Sequence, residues 1–398
     1  MHMQITEILF WILVFIVFYT YIGYGLILRF LLPKRKKVQL SPSHPINYPR
    51  IAHIIAAYNE EAVIDKKIIN ALSLDYPRDK MKIIVVTDGS TDETPSIIKR
   101  YSDVIHLHHP DRRGKVSAIN RAVQLTRDDY EIIVFSDANT LISRDALMNM
   151  IPHFVNPRVG GVSGEKVVLS HDDDMVQGQG EGLYWKYESW LKKLDSDFYS
   201  IAGAAGELFS IREKLYEAMP ENILLDDLYL SLLICKKGFV IPYEPKATAT
   251  ELPSYSIDDE RKRRIRISAG AFQTMSMLPE LLNIFAYGKF SFQYISHRVL
   301  RWVVCPIAIP LIFLLNIIIL FQGGSIYYVF ALFLQIFFYA LALGGELFSD
   351  NRKGMGKLFF VPYYFVFMNI SVWKGFFRFI NGTQSVNWEK AHRRSHYY

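Results

Sequence analysis

Uncharged apolar runs near both ends of the chain are the strongest pattern in the sequence. Residues 8–28 contain no charged side chain, and at about 1.5 Å per residue a helix of that length crosses the roughly 30 Å hydrocarbon layer of a membrane. Residues 302–345 are also uncharged but too long for one span, and Gln322-Gly323-Gly324-Ser325 divides them into two stretches of suitable length. The pattern predicts an amino-terminal transmembrane helix and a later transmembrane hairpin.

The apolar segment 358–373 is harder to assign. It is short for a span, Pro362 and Asn369 interrupt it, and basic residues flank it on both sides. The preferred interpretation is a re-entrant or interfacial segment followed by a cytoplasmic tail. The alternative is a tilted fourth span that places the tail outside.

Positive charge beside the apolar runs indicates their orientation. Glu7 precedes the first run and Lys34-Arg35-Lys36-Lys37 follows it, which argues against a cleaved signal peptide and holds the carboxyl end of that helix in the cytoplasm. We therefore predict a multi-pass protein of the inner or plasma membrane, with its central region in the cytoplasm and its amino terminus outside. The hairpin agrees with this orientation, since basic residues lie on both sides of it, namely Arg298, Arg301, Arg352, Lys353 and Lys357.

Between the membrane segments, short β-branched runs alternate with helical patterns. Such alternation predicts an α/β fold with a mostly parallel, doubly wound sheet, in which ligands bind beyond the carboxyl ends of the strands. Residues 48–275 form the predicted globular domain, between an amino-terminal part (1–47) and a carboxyl-terminal part (276–398). The candidate strands are residues 51–56, 82–87, 104–108 and 132–136, and the candidate helices are residues 60–73, 91–101 and 115–126.

Composition supports a membrane protein and excludes other classes. The chain of 398 residues is 51% hydrophobic and has a formal charge of +6, with a mean hydropathy of +0.12. Its basic residues cluster beside the membrane segments, including 261–266, so they do not form a nucleic-acid-binding face. The two cysteines, Cys235 and Cys305, cannot form a disulfide framework, and no Cys/His spacing indicates zinc.

Polar residues collect where three of the predicted strands end. These are Tyr58-Asn59-Glu60-Glu61, Asp88-Gly89-Ser90 and Asp137-Ala138-Asn139. Each group alone has an ordinary explanation as a turn or a helix cap, but their convergence on one sheet edge favours a ligand site. Asp137 and Asn139 point the same way and can bind one divalent cation, Mg²⁺ or Mn²⁺, which would neutralise a leaving diphosphate.

Arg112-Arg113-Gly114-Lys115 opens the third predicted helix. The glycine lets the backbone approach an anion, and Lys115 adds positive potential at the helix amino end. A solvated basic loop is the alternative. The sequence contains neither a Walker motif nor GxGxxG, so it does not support an NTPase or a dinucleotide enzyme.

Together these strings identify a family resemblance. IIAAYNEE, VVTDGSTDET, RRGKVSAIN, FSDAN and LLDDLYLSL, in this order and spacing, resemble the family 2 glycosyltransferases of the GT-A fold. The sequence is similar to membrane members such as poly-N-acetylglucosamine, cellulose and hyaluronan synthases. The resemblance covers roughly residues 50–275 and implies an inverting hexosyl or N-acetylhexosaminyl transferase that uses a UDP-sugar.

The resemblance also implies roles for residues in the donor pocket. Asp88 would accept a hydrogen bond from the uracil imide, and Asp137 and Asn139 stand where the family has its DxD metal motif. Asn139 departs from that motif, because its amide oxygen ligates a cation without contributing charge. The implied nucleotide-sugar-binding residues are Ala57, Tyr58, Glu60, Asp88, Lys115, Asp137, Arg264 and Arg266.

Asp227 matches the aspartate that the family uses as general base. An inverting displacement needs one carboxylate to take the proton of the acceptor hydroxyl, and the neighbouring Asp226 would raise the pKa of one member of the pair. The alternative is a helix start that carries acidic residues. The resemblance places Gly206 and Glu207, together with Asp226, on the acceptor side.

The chain departs from processive synthases at their QxxRW signature. In the matching stretch, 263–267, Arg266 is kept, but Arg263 replaces the glutamine and Ile267 replaces the tryptophan. The stacking platform for an acceptor sugar is therefore missing, which argues against long-chain processivity. The aromatic run from Tyr184 to Trp190 either lines an acceptor path or packs in the core.

The sequence is compatible with three candidate functions. The leading hypothesis is transfer from a UDP-sugar to a growing glycan for envelope or extracellular polysaccharide synthesis, with an export partner or homo-oligomer to complete a translocation path. The alternative is transfer of a single sugar to a lipid acceptor of the polyprenyl-phosphate type. A non-catalytic, nucleotide-binding scaffold is the third. His171-Asp172-Asp173-Asp174 is interpreted as a polar loop rather than a metal site.

Overall fold

In the computed structural model of the chain, the described residues are 2–32, 48–168, 177–251, 257–347 and 357–385. Four features of the sequence lie outside them. These are the basic clusters at residues 34–37 and 352–353, the segment His171-Asp172-Asp173-Asp174 and the tail beyond residue 385.

The centre of the globular domain is a mixed eight-stranded sheet. The first four strands form its parallel half, and the four predicted strands are confirmed with boundaries that shift by one residue. The sheet is not parallel throughout, because β7 runs antiparallel to both β4 and β6. The strands are β1 (Ile51–Ala57), β2 (Met81–Asp88), β3 (Val104–His109), β4 (Ile132–Asp137), β5 (Leu141–Ile142), β6 (Gly161–Val168), β7 (Phe209–Arg212) and β8 (Tyr243–Glu251), in the order β3-β2-β1-β4-β7-β6-β8-β5.

Helices cover the sheet and continue into the membrane segments. The three helices predicted in the domain (α3 to α5) are present but shorter. The first residues predicted for α3 and α4 form the loops that leave the strands, whereas α5 begins where predicted and ends two residues earlier. The α-helices are α1 (His2–Phe18), α2 (Tyr24–Leu31), α3 (Ile64–Leu72), α4 (Thr94–Ile98), α5 (Lys115–Gln124), α6 (Ala146–Met150), α7 (Gln177–Phe198), α8 (Asp226–Lys236), α9 (Ile257–Met277), α10 (Ile284–Tyr287), α11 (Lys289–Tyr294), α12 (Cys305–Phe321), α13 (Ile326–Leu347) and α14 (Lys357–Ile380). Short 3₁₀ helices occupy Arg78–Lys80, Ile151–Val155, Glu213–Leu215 and Pro279–Leu282, and π-helical turns occupy Tyr19–Gly23 and Ile295–Val304.

The apolar run of β1 reflects its position inside the sheet. Strands buried on both faces are apolar at consecutive positions rather than at alternate ones, and Ile51, Ile54 and Ile55 are at most 1% exposed. β1 pairs in parallel with β2 on one side and β4 on the other. The carboxyl ends of the three strands therefore meet at one edge.

Within the described residues, three helical segments are long and apolar enough to cross a membrane: Met3–Leu31, Lys289–Phe321 and Ile326–Leu347. They contain the predicted first helix and both arms of the predicted hairpin, which turns at residues 322–325. Residues 358–373 lie within α14, a single helix of 24 residues. Whether α14 crosses, enters or lies on the membrane stays a prediction.

A buried polar junction joins the first membrane helix to the globular domain. The Tyr24 hydroxyl donates to the Asp195 carboxylate, and the His297 ring bonds the other oxygen of the same carboxylate. Tyr19 and Ser296, one from each π-helical turn, share a hydrogen bond of 2.7 Å. Because buried polar groups are costly when unpaired, these bonds fix where the membrane helices meet α7.

The helices α9 and α14 approach closely at Gly375. A Cβ atom at this position would lie 2.4 Å from Ser268 Cβ and 2.8 Å from the Ile265 carbonyl oxygen. Both atoms belong to backbone or to a short side chain that cannot swing away. The close contact holds α14 against the helix that carries the basic cluster at residues 261–266.

Replacing this glycine tests the contact. Gly375→Ala should destabilise the protein by about 1–3 kcal/mol, because the methyl group forces the two helices apart. The thermal unfolding midpoint of the detergent-solubilised protein measures the effect. Gly23→Ala is the control, since its Cβ would meet its nearest neighbour at 3.6 Å. Equal midpoints for both variants would contradict the close approach.

Candidate functional site

A cavity of about 1700 Å³ opens at the carboxyl ends of β1 and β4. It is larger than the roughly 300–1,000 Å³ of a usual small-molecule site. Most of the residues predicted for the site line it. They are Tyr58, Glu60, Lys115, Asp137, Asn139, Gly206, Glu207, Asp226, Asp227, Arg264 and Arg266.

Lys115 lies at the centre of the charged groups in this cavity. It opens α5, and its Nζ is 2.9 Å from Asp137 Oδ1 and 3.2 Å from Asp226 Oδ2. Burial opposes its charge, but the carboxylates of Asp137, Asp226 and Asp227 outweigh burial and raise its pKa. Lys115 thus joins the end of β4 to the start of α8.

Asp227 lies beside this group, in the first turn of α8. Burial, followed by repulsion from Asp226, raises the pKa of its carboxyl to about 7, although Lys115 acts in the opposite direction. Space next to it is kept open by Gly206, where a Cβ would lie 2.9 Å from Asp227 Oδ2. A carboxylate with a pKa near neutrality is suited to accept a proton.

Asp88 anchors the loop that leads into α5. Its Oδ2 accepts from the backbone N–H groups of Arg113 at 2.8 Å and Gly114 at 2.6 Å, and its Oδ1 accepts from both Nη atoms of Arg121 at 3.2 Å. The carboxylate therefore positions Lys115 through the loop. A hydrogen bond between Asp88 and uracil stays a prediction.

The region predicted to bind the nucleoside is narrow. Ala57 and Asp88 line a second cavity of about 10 Å³ rather than the large one. The Arg112 guanidinium covers the Tyr58 ring, with its carbon 3.8 Å from the ring centroid. A base that stacks on Tyr58 would have to displace Arg112.

The arginines in the basic stretch of α9 lie in two different environments. Arg263 contacts Glu207 at 3.3 Å and Glu251 at 3.2 Å, and Arg264 contacts Glu260 at 2.5 Å. Arg266 makes no hydrogen bond or ion pair with the residues that the structure describes, and its charge interacts with Asp137, Asp226 and Asp227. Of the two predicted phosphate-binding arginines, Arg266 is thus the one turned toward the aspartates.

Sequence reasoning missed the support behind Asp137 and Asn139. Lys67, on α3, is fully buried, and its Nζ donates to the Thr140 carbonyl at 2.9 Å. The Thr140 hydroxyl in turn donates to the Asp137 carbonyl at 3.0 Å. Burial lowers the pKa of Lys67 to about 7, against the attraction of Asp137. Nothing in the sequence distinguishes Lys67 from a solvated helical lysine.

The donor atoms near Asp137 fit a hard divalent cation. Its carboxylate and the Asn139 amide supply oxygen ligands, which Mg²⁺ and Mn²⁺ prefer. Among the described residues, no group of three His, Cys, Asp or Glu side chains could hold a metal.

Comparisons with known proteins indicate the family that the chain resembles. Residues 53–219 match the profile of glycosyl transferase family 2. The chain is 25% identical to poly-beta-1,6-N-acetyl-D-glucosamine synthase of Staphylococcus aureus over 236 residues, 56% of this chain and 55% of that protein. It is 29% identical to beta-monoglucosyldiacylglycerol synthase of Synechocystis over 234 residues, 52% of this chain and 46% of that protein. The chain thus spans about half the length of the curated relatives it matches.

A solved structure shares the fold. The mannosyltransferase of Pyrobaculum calidifontis, determined in complex with GDP-Man and Mn²⁺, superposes with a TM-score of 0.69 at 22% identity, over 95% of this chain and all of that one. With its apolar helices, the chain is a membrane protein of the GT-A fold. The family profile over residues 53–219 and the curated relatives together support a family 2 glycosyltransferase.

Proposed function

We propose that the chain transfers a sugar, with inversion, from a UDP-sugar to a hydroxyl group of a growing glycan for envelope or extracellular polysaccharide synthesis. The observation that supports this most is Asp227, whose raised pKa and open flank at Gly206 suit a general base. The relative that makes poly-N-acetylglucosamine supports a glycan product. UDP as the nucleotide rests on the family resemblance alone.

In the proposed reaction the acceptor oxygen attacks the anomeric carbon while the bond from that carbon to the diphosphate breaks. Asp227 takes the hydroxyl proton, and the diphosphate leaves as UDP. Lys115 and Arg266 are the cations placed to neutralise its charge. A divalent cation held by Asp137 and Asn139 would add positive charge at the same leaving group.

The proposed orientation places this reaction in the cytoplasm, beside the inner or plasma membrane. It rests on the basic residues that flank the apolar runs. Transfer of a single sugar to a lipid is the second candidate, favoured by the glycolipid-synthesising relative and by the aromatic residues of α14 in the cavity wall.

One assay tests the proposed function as a whole. The full chain in membrane vesicles is supplied in turn with labelled UDP- and GDP-sugars, with and without Mn²⁺ or Mg²⁺, and nucleotide release is followed. Release of UDP and a ladder of oligosaccharides is expected. A single organic-extractable product would favour transfer to a lipid. Release of GDP alone would show that the donor is not a UDP-sugar.

Replacing the proposed base tests its role. Asp227→Asn should lower turnover by about 100-fold to 10,000-fold, the usual contribution of a general base, while UDP binding stays nearly unchanged. Sugar transfer and calorimetric UDP binding measure the two effects. Asp259→Asn, at a half-buried position on the cavity wall, is the control. A variant that keeps most of its turnover would show that Asp227 is not the base.

The pH dependence of the reaction should report the same carboxyl group. Because Asp227 must be ionised to accept a proton, kcat/KM should fall as the pH drops below about 7. Asp226→Asn removes a repulsive charge, so the pKa falls and the acid limb should move to lower pH. Asp226→Glu keeps the charge and should leave the limb in place. If the acid limb stays at the same pH in both variants, a group other than Asp227 controls it.

The proposed metal site gives a separate prediction. Asn139→Asp adds a negative charge to the ligand set, so half-maximal activity should require about tenfold less Mn²⁺. Electron paramagnetic resonance of free Mn²⁺, in the presence of UDP, measures binding directly. Asp145→Asn, away from the cavity, is the control. Unchanged Mn²⁺ binding in Asn139→Asp would remove Asn139 from the site.

A further inference from the structure

The region predicted to bind the nucleoside contains a side-chain contact that the proposed reaction does not use. The Arg112 guanidinium lies over the Tyr58 ring, with its carbon 3.8 Å from the ring centroid. At this distance the cation is attracted to the negatively polarised face of the ring. Both side chains border the small cavity at Asp88, so a base that reaches Asp88 has to enter beside Arg112.

The small cavity has too little space for a base. Its volume of about 10 Å³ is close to the minimum that one water molecule needs. Its walls include Ala57 at the end of β1, Asp88 at the end of β2 and Ala118 on α5. All three residues are buried, and their elements belong to the packed sheet. A side chain, rather than a strand or a helix, therefore has to move before a base can bind.

The backbone that carries Tyr58 is held by the residue after it. Asn59 has a positive φ of 52°, a conformation that is uncommon for residues other than glycine and has to be held by the surrounding structure. Its side-chain oxygen accepts from the Thr91 N–H at 2.8 Å, and its own N–H donates to Ser90 Oγ at 3.2 Å. These bonds fix the backbone at Tyr58 against the loop that follows β2.

The backbone that carries Arg112 is held as well. Asp88 accepts from the next two N–H groups of the loop, those of Arg113 and Gly114. Gly89 has a φ of +67°, and a Cβ atom there would lie 2.7 Å from the N and the Cβ of Arg112. The loop thus packs directly against the residue that follows β2. Its backbone is fixed, and the long Arg112 side chain is the part that can change position.

Lys115 borders the same cavity, but ion pairs with Asp137 and Asp226 hold its ammonium group. Arg112 is half-buried, and its side chain has several rotamers. Moving the guanidinium away from Tyr58 costs its attraction to the ring, and a new contact with an anion would offset that cost. The proposed diphosphate is such an anion, since it lies at Lys115, three residues further along the loop.

We infer that Arg112 and the base of a nucleotide compete for the face of Tyr58, and that the diphosphate of the same nucleotide receives the displaced guanidinium. Arg112 is then a specificity-determining residue. A nucleoside has to displace the guanidinium without compensation, whereas a nucleoside diphosphate offers it phosphate oxygens. The inference rests on the proposed function, because it takes the donor to be a nucleoside diphosphate sugar. It adds that recognition of the base is coupled to recognition of the phosphates.

Calorimetry on the purified full chain in detergent tests the competition. Uridine and UDP are titrated into the wild type, Arg112→Ala and Arg113→Ala. Arg112→Ala should bind uridine about threefold to thirtyfold more tightly, because uridine no longer has to break the contact with Tyr58. Its affinity ratio of UDP to uridine should fall at least about tenfold, because a charged hydrogen bond to phosphate is lost. Arg113→Ala is the matched control and should behave as the wild type, since the Arg113 side chain is exposed and alanine keeps the backbone N–H that donates to Asp88.

Two results of these titrations would overturn the inference. Unchanged or weaker uridine binding by Arg112→Ala would show that the guanidinium does not compete with the base. An unchanged ratio of UDP to uridine affinity would show that the guanidinium does not reach the phosphates.

A measurement without nucleotide separates failure of the inference from failure of the proposed function. Tetranitromethane nitrates accessible tyrosines, and mass spectrometry of the peptide that contains Tyr58 gives the rate. Arg112→Ala should raise this rate severalfold over the wild type and Arg113→Ala, and equal rates would overturn the inference. If the wild type binds GDP but not UDP, the proposed donor is wrong, and titrations with guanosine and GDP test the competition in the same way. If it binds neither, the proposed function fails and the inference fails with it, whatever the nitration rates show of the contact.

Discussion

The ion pairs of Lys115 with Asp137 and Asp226 are the constraint on which the site depends. Asp137 ends β4 in the parallel half of the sheet, whereas Asp226 starts α8, which lies between β7 and β8 of the other half. Three aspartates this close repel one another unless a cation separates them, and Lys115 lies 2.9 Å and 3.2 Å from two of them. The position of Lys115 depends in turn on Asp88, which holds the loop before α5.

The parallel half of the site could be predicted from the sequence because its geometry follows from local rules. β1, β2 and β4 are apolar at consecutive positions, and each ends in polar residues. The carboxyl ends of neighbouring parallel strands must meet at one edge, so Tyr58, Asp88 and Asp137 had to come together. Asp226 and Asp227 follow no such rule. They lie beyond residue 219, where the family profile ends, and only the resemblance in LDDLYLSL indicated them.

Partners far apart in sequence could not be predicted, because side-chain chemistry alone does not identify them. Lys67 looks like a solvated residue of an amphipathic helix, yet it is fully buried and bonded to Thr140. Asp195 and Tyr24 meet although one lies in the globular domain and the other in the first membrane helix. Asp88 was predicted to face a ligand, but four N–H donors of the protein already approach its oxygens. In each case the packing of distant segments, and not the local sequence, brings the partner close.

The residues at the QxxRW positions take part in this packing, next to the predicted acceptor side. Arg263, in place of glutamine, pairs with Glu207 and Glu251, and Glu207 also pairs with Lys166. These ion pairs fix α9 against β8 and the loop at Gly206. Ile267, in place of tryptophan, gives that wall an aliphatic surface without a face for sugar stacking. Aromatic side chains in the cavity come from other elements, among them Trp185 and Tyr187 of α7 and Tyr364 of α14. The α9 side of the cavity is thus built from ion pairs and aliphatic surface rather than from an aromatic face.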